Sequence, residues 1–225
     1  MTDEKVGAVI VAAGKGERMR GEDKLFTNIG GAPLLVRVID LFNKYDEIDQ
    51  IVVVLGADNV GRGKTLIEDY GWSKVSHVCQ GGDRRQDSVR AGIRLLDGCE
   101  WVVIHDGARP MADSSLIERG LLEARSTGAA IAAVPVKDTI KESSPDGFVK
   151  STPARGNLWA AQTPQVFRLE LIRRAHEEVT RNVSDDSSMV EELGYPVKIY
   201  MGSYENIKIT TPEDMALAEI ILGAE

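Results

Sequence analysis

Apolar positions along the chain fall into short continuous runs separated by amphipathic stretches. Val6-Gly7-Ala8-Val9-Ile10-Val11-Ala12 is an unbroken β-prone run followed by glycines. Such runs suit parallel strands covered by helices on both faces, where neither side needs to be polar. Further strands are expected at Gln50–Leu55, Ser76–Cys79, Trp101–Ile104 and Ala129–Val134. Between them the period changes. Val89, Gly92, Ile93 and Leu96 lie at i, i+3, i+4 and i+7, behind Asp87 and Ser88 as cap residues. Another helix is expected after Asp113-Ser114-Ser115, stopping near Gly128. Strand and helix alternating in this way predict an α/β fold with a doubly wound, mostly parallel sheet.

Two regions break the rhythm. From Val136 to Pro153, two short alternating segments flank Ser144-Pro145-Asp146-Gly147, the pattern of a β-hairpin. Neither segment has enough apolar residues for a core position, so the expectation is an arm at about 137–154, projecting from a single domain over 1–225. Such an arm either lies against solvent or pairs with a second copy of the chain, and a dimer is the expectation. Near the end, strands are expected at Pro196–Tyr200 and Asn206–Ile209, then a helix opened by Thr211-Pro212-Glu213-Asp214. That quartet combines a hydroxyl cap, proline in the first turn and two carboxylates at the positive end of the helix dipole. Lys208 is thereby expected at the carboxyl end of a strand, the edge where open α/β sheets bind ligands.

Composition narrows the partners. The 225 residues are 43% hydrophobic and 28% charged, enough to bury a sizeable core. With 27 Lys and Arg against 35 Asp and Glu, the net charge of −8 argues against non-specific nucleic-acid or membrane-surface binding. Small anions need only a local basic pocket. Cys79 and Cys99 have no metal-ligand or redox spacing and suit a reducing compartment. The start Met1-Thr2-Asp3-Glu4-Lys5 is too acidic for a signal peptide, and the following apolar run is too short to span a bilayer. The expectation is a soluble, cytoplasmic protein.

Five stretches carry candidate chemistry. Ala12-Ala13-Gly14-Lys15-Gly16-Glu17-Arg18-Met19 follows the first strand, and Lys15, Arg18, Arg20 and Lys24 gather within eleven residues. Glycines there let backbone N–H groups close around a phosphate, but the third glycine of a dinucleotide fingerprint is replaced by Met19. Gly81-Gly82-Asp83-Arg84-Arg85, with Ser88 entering a helix, makes a second anion or base cradle. His105-Asp106-Gly107-Ala108-Arg109-Pro110 places a carboxylate at a strand end, suited to holding Mg²⁺ through oxygen. His105 is expected to be structural. Arg155 follows the arm with no evident structural partner, and Lys208 precedes the last helix. No nucleophile for covalent catalysis emerges. Asp58-Asn59-Val60-Gly61-Arg62-Gly63-Lys64-Thr65 fits a P-loop at every fixed place except the first, where aspartate is a poor substitute for glycine. A loop preceding a surface helix is expected there.

Taken together and in order, these stretches resemble the 2-C-methyl-D-erythritol 4-phosphate cytidylyltransferase family. The matching motifs are Ala-Ala-Gly-x-Gly-x-Arg-Met at 12–19, Gly-Gly-x-x-Arg-x-x-Ser-Val at 81–89 and His-Asp-Gly-Ala-Arg-Pro at 105–110. Leu158-Trp159-x-x-Gln162-Thr163-Pro164-Gln165-x-Phe167 and Asn206–Asp214 complete the set. The resemblance implies a Rossmann-like nucleotidyltransferase fold and a reaction in which CTP binds first with Mg²⁺. A phosphate oxygen of a polyol phosphate then attacks the α-phosphorus and pyrophosphate leaves. It implies charge stabilisation by Arg18 and Lys24, and positioning of the polyol phosphate by Arg155 and Lys208. Nucleotide contacts would come from Ala12, Ala13, Gly14, Lys15, Gly16, Gly82, Asp83, Arg85 and Ser88. Second-substrate contacts would come from Asp106, Arg109, Thr139, Thr163 and the Ser184-Asp185-Asp186-Ser187 loop, with Asp106 and Arg109 also near the metal. The 139–151 hairpin resembles an arm that embraces a partner subunit, so a homodimer is implied.

The stretch Arg20-Gly21-Glu22-Asp23-Lys24 departs from the family's commoner Gly-x-Pro-Lys form and is one residue shorter, leaving Lys24 as the catalytic lysine. Three other readings stand beside this one: a pentitol phosphate cytidylyltransferase acting on ribitol 5-phosphate, a P-loop NTPase using 58–65, and a catalytically silent nucleotide-binding protein. Arg18, Lys24, Arg155 and Lys208 together argue against the last.

Overall fold

The computed structural model describes residues 4–14 and 24–223. The chain runs through β1 (Val6–Ala12), the short hairpin β2 (Asn28–Ile29) and β3 (Ala32–Pro33), α1 (Leu34–Lys44), β4 (Gln50–Leu55) and α2 (Val60–Tyr70). It continues with β5 (Val75–Gln80), α3 (Arg85–Ile93), β6 (Trp101–Asp106), α4 (Ser114–Thr127) and β7 (Ala129–Pro135). The arm strands β8 (Glu142–Ser143) and β9 (Val149–Ser151) come next, then β10 (Trp159–Arg168), α5 (Leu169–Glu178), α6 (Ser187–Glu192), β11 (Lys198–Met201) and α7 (Pro212–Gly223). Seven strands form the central sheet in the order β11-β7-β10-β6-β1-β4-β5. β10 runs antiparallel to both its neighbours, and the remaining pairs are parallel.

The unbroken apolar character of β1 and β4 follows from having two covered faces. Ala8 and Ile10 join Ile51, Val53 and Leu55 beneath α1, whose Leu35, Val38, Ile39 and Phe42 are fully or almost fully buried. Val9, Val52 and Val54 point the other way, under Val89 and Ile93 of α3 and Ile172 of α5. Each such aliphatic side chain contributes roughly 1.5–3 kcal/mol by leaving water. Helix α4 ends as its sequence dictates. The Asp113 carboxylate accepts the Leu116 N–H at 2.8 Å, and Gly128 closes the helix at φ +88°. In α7, Asp214 Oδ2 accepts the N–H groups of Thr210 and Thr211, while Thr211 Oγ1 accepts that of Asp214.

Several expectations need correction. The strand starting at Trp101 continues to Asp106, because His105 and Asp106 find polar partners inside the fold. Helix α3 begins at Arg85, so Asp87 is the third helical residue rather than a cap. Its carboxylate accepts the Arg84 N–H and guanidinium instead. The 58–65 segment is helical from Val60, and Gly61 and Gly63 lie inside α2, which leaves no phosphate-wrapping loop. Asn206–Ile209 is not a strand. It is an irregular segment held by the Ile209 N–H on Ala108 O (2.8 Å) and by Asn206 Nδ2 donating to Thr163 O (2.8 Å). The apolar-polar-apolar order Ile207-Lys208-Ile209 suits a strand, but the contacts are individual ties rather than a ladder.

The 136–158 segment leaves the sheet as expected for an arm. Ser144 and Phe148 pair across the turn, Gly147 has φ +85°, and all of β8 and β9 is exposed. No helix among the described residues is long and apolar enough to cross a membrane.

Candidate active site

At the carboxyl ends of β1, β5 and β6 the chain crosses from one side of β1 to the other, the position where doubly wound sheets open a crevice. A cleft of about 180 Å³ lies there. Val11, Ala12, Ala13 and Gly14 form one wall and Gly82, Asp83, Arg84, Arg85 and Ser88 another; Lys24, Asp106 and Lys208 reach in as charged groups. The second wall is set by sterics. A Cβ on Gly81 would come within 2.4 Å of Ala13 Cβ and 2.5 Å of Ser88 Oγ, so only glycine lets the two walls meet at their base. Ser88 Oγ then accepts the Gly82 N–H at 3.2 Å and holds the loop against the start of α3.

Asp106 is the electrostatic centre. Its Oδ1 takes Arg85 Nε at 3.0 Å, and its Oδ2 takes Lys208 Nζ at 2.9 Å and Arg109 Nε at 3.6 Å. Burial by itself would raise this carboxyl, but the charges of Arg85, Lys208 and Arg109 outweigh it and hold the group well below the usual carboxylate range. Asp106 is therefore an anion wrapped by three cations, and Lys208 is the most exposed of them, with 41% of its side chain open to solvent. Lys24 Nζ donates to Ile209 O at 2.8 Å, which brings that ammonium beside the same segment as Lys208.

Behind Asp106 lies a chain of hydrogen bonds. β10 pairs with β6 only as far as Ile104, and its register shifts between Ala161 and Gln165. There Thr163 Oγ1 accepts the Asp106 N–H at 3.0 Å and lies 3.1 Å from His105 Nδ1. His105 Nε2 lies 3.0 Å from Arg109 O. A carbonyl only accepts, so Nε2 carries the proton and Nδ1 accepts from the threonine hydroxyl. Burial pushes the His105 pKa down to about 4, and the ring is neutral near pH 7. His105 is a structural brace, as expected.

The expected site residues separate into groups. Ala12, Ala13, Gly14, Lys24, Gly82, Asp83, Arg85, Ser88, Asp106 and Lys208 share the cleft. Arg109, half-buried, and Thr163, buried, lie behind it, positioning Asp106 and the Asn206 carbonyl rather than lining the opening. Arg155 and Thr139 are exposed at the root of the arm, where Arg155 Nη1 donates to Lys137 O at 2.7 Å. Ser184 is exposed in the loop between α5 and α6. Lys15, Gly16 and Arg18 lie outside the described residues. Sequence reasoning missed the individual contacts of Asp185, which accepts Gln165 Nε2 at 2.9 Å, and of Asp186, which meets Arg85 Nη1 at 2.5 Å. The resemblance put the 184–187 loop at the second-substrate pocket, but no local signal in the sequence gave these individual contacts.

Comparison with known proteins accounts for this arrangement. A profile of the family described as 2-C-methyl-D-erythritol 4-phosphate cytidylyltransferase (IspD) matches residues 6–224. The chain belongs to that family. It is 50% identical over 220 residues to the 2-C-methyl-D-erythritol 4-phosphate cytidylyltransferase of Dehalococcoides mccartyi, covering 98% of this chain and 97% of that one. The enzyme of the same name from Alkaliphilus oremlandii is 46% identical, with 97% and 95% covered. Among solved structures, the 4-diphosphocytidyl-2C-methyl-D-erythritol synthase of Anaerococcus prevotii superimposes with a TM-score of 0.87 at 34% identity, covering 98% of this chain and 96% of that one. The cytidylyltransferase of Thermus thermophilus superimposes at 0.78 and 30% identity, with 97% and 99% covered. The chain is thus a nucleotidyltransferase with the α/β sheet of this cytidylyltransferase family.

Proposed function

We propose that this cytidylyltransferase moves a cytidylyl group from CTP to 2-C-methyl-D-erythritol 4-phosphate, a step of non-mevalonate isoprenoid precursor synthesis. The observation that carries the reading is the Asp106 cluster at the edge of a glycine-walled cleft. A carboxylate there holds Lys208 in place with part of its charge open to the cavity. A phosphate oxygen of the polyol phosphate attacks the α-phosphorus, a P–O bond forms, and the bond to the leaving pyrophosphate breaks. Phosphoryl chemistry of this kind asks a protein for alignment and charge neutralisation rather than a nucleophile. Lys24, with Arg18, neutralises the triphosphate as charge shifts to the leaving group. Lys208, with Arg155, aligns the attacking phosphate. Ala12 to Gly16 and Gly82, Asp83, Arg85 and Ser88 receive the nucleotide. Arg109, Thr139, Thr163 and Ser184 shape the second pocket, Arg109 and Thr163 from beneath.

Among the described residues no three metal-binding side chains gather. The cleft is lined by two carboxylates, Asp83 and Asp106, and because Arg85 and Lys208 engage both Asp106 oxygens, Mg²⁺ would be held mainly by the CTP phosphates with Asp106 beside it. So placed, it would supply charge neutralisation for the phosphates. We take residues 1–225 as one catalytic domain whose arm at 137–154 pairs with a second subunit. The exposed Ile140, Phe148 and Val149 support that role. Half-buried free thiols at Cys79 and Cys99 fit a cytoplasmic enzyme.

The test is Mg²⁺-dependent pyrophosphate release from CTP, with 2-C-methyl-D-erythritol 4-phosphate and ribitol 5-phosphate offered in parallel. Release with the first alone is expected. Preference for ribitol 5-phosphate would keep the mechanism and overturn the substrate, and silence with both would overturn the reading.

A further inference from the structure

Arg85 joins two carboxylates. Its Nε meets Asp106 Oδ1 at the cleft, and its Nη1 meets Asp186 Oδ2 beneath it. Asp186 is fully buried at the start of α6, and its other oxygen lies 3.4 Å from Nε2 of His176, itself buried on α5. Neither Asp186 Oδ1 nor His176 Nε2 has a hydrogen-bond partner, so the two atoms face one another across that gap. The loop that presents Asp186 is fixed next door. Asp185 accepts from Gln165 Nε2 and from the hydroxyls of Ser187 and Ser188.

The geometry decides how Arg85 treats Asp106. A guanidinium left to one carboxylate tends to pair with both of its oxygens. Here Asp186 engages Nη1 from below, and Arg85 reaches only Oδ1 of Asp106. Oδ2 stays available to Lys208 at 2.9 Å. We propose that Asp186 and His176 are positioning residues for the second substrate: by anchoring Arg85 on one oxygen of Asp106 they leave the other to hold Lys208 at the cleft. The inference rests on the reading above that Lys208 aligns the polyol phosphate.

The experiment measures steady-state kinetics with CTP and 2-C-methyl-D-erythritol 4-phosphate varied separately, alongside thermal melting, for the wild type, Asp186→Asn, His176→Gln and Lys208→Ala. Asp186→Asn should raise KM for the polyol phosphate by about tenfold or more and KM for CTP, whose site Arg85 also lines, by a clearly smaller factor, and His176→Gln should move the same constants less. A role confined to stability would instead lower melting temperature and active fraction without separating the two constants, and that result would overturn the proposal. If Asp186→Asn does not fold, His176→Gln is judged by the same split. If Lys208→Ala leaves KM for the polyol phosphate unchanged, the role of Lys208 fails and this inference with it. If Lys208→Ala raises it while neither of the other variants does, only this inference fails.

Discussion

Replacing Thr163 by valine removes one oxygen and keeps the shape, so it isolates the brace behind Asp106. In the native protein that hydroxyl accepts the Asp106 N–H at 3.0 Å and donates to His105 Nδ1 at 3.1 Å, with Thr163 and His105 almost fully buried. Valine leaves a buried donor and a buried acceptor without partners. Each such loss costs about 1–3 kcal/mol, so the pair is worth about 2–6 kcal/mol. For a chain of this size that corresponds to a fall in melting temperature of about 4–24 °C. Thr163→Ser keeps both hydrogen bonds and loses one methyl group, about 1 kcal/mol. Urea unfolding and thermal melting of the three proteins give the comparison. A valine variant melting within about 2 °C of wild type, or a serine variant as damaged as the valine one, would show that the hydroxyl is not the brace described here.

Lys24→Ala and Arg18→Ala should each lower kcat by about a hundredfold or more with unchanged circular dichroism, the loss expected when one charge-stabilising donor is removed. Near wild-type turnover in either would sink the charge-stabilisation role. Gly92→Ala should destabilise by about 1–2 kcal/mol. Its Cβ would lie 2.5 Å from Val9 Cγ1 and 2.9 Å from Val54 Cγ2, and because both valines are stiff the overpacking falls in the upper part of its range, about 2–3 kcal/mol, which outweighs the ~1 kcal/mol that alanine gains in a helix. Equal or higher stability in denaturant would contradict that packing. His105 gives a pH dependence of fixed sign. Its folded pKa of about 4 lies below the ordinary 6.5, so the unfolded chain binds the extra proton between those values. The His105 contribution is full above pH 6.5 and is lost as pH falls towards 4, at a cost of roughly 3 kcal/mol. Denaturation at pH 7.5 and 4.5 should show a larger loss for wild type than for His105→Gln, and equal losses would refute the assignment.

Where local chemistry decides structure, the sequence was enough. The limits of β1 and β4, the Asp113 and Gly128 ends of α4 and the Thr211 start of α7 follow from runs, caps and glycines. The Asn206–Ile209 segment was misread because Ile207-Lys208-Ile209 alternates like a strand, whereas the segment is held by single ties to Ala108 and Thr163, which no periodicity encodes. The site divides in the same way. Glycine walls and Lys24, Asp106 and Lys208 were visible as residue types in sequence order. The Arg85–Asp186 contact joins positions 101 apart, and the pairing of His176 with Asp186 depends on two helices meeting. Neither leaves a trace in a short window. The P-loop look-alike failed for the opposite reason: its residues fit a pattern whose backbone α2 does not adopt.

The reversed direction of β10 has a consequence for how this protein can diversify. β7 arrives at the cleft edge and β10 departs from it, so everything between Pro135 and Trp159 emerges beside the catalytic opening without passing through the core. Lengthening such an excursion raises its closure entropy only logarithmically, about 0.6 kcal/mol per doubling. Insertions, deletions and recoded tips beyond the root that carries Thr139 and Arg155 are therefore thermodynamically cheap, and they alter what flanks the reaction chamber while leaving the chamber's own walls untouched. Lineages are free to tune assembly and turnover on separate evolutionary clocks.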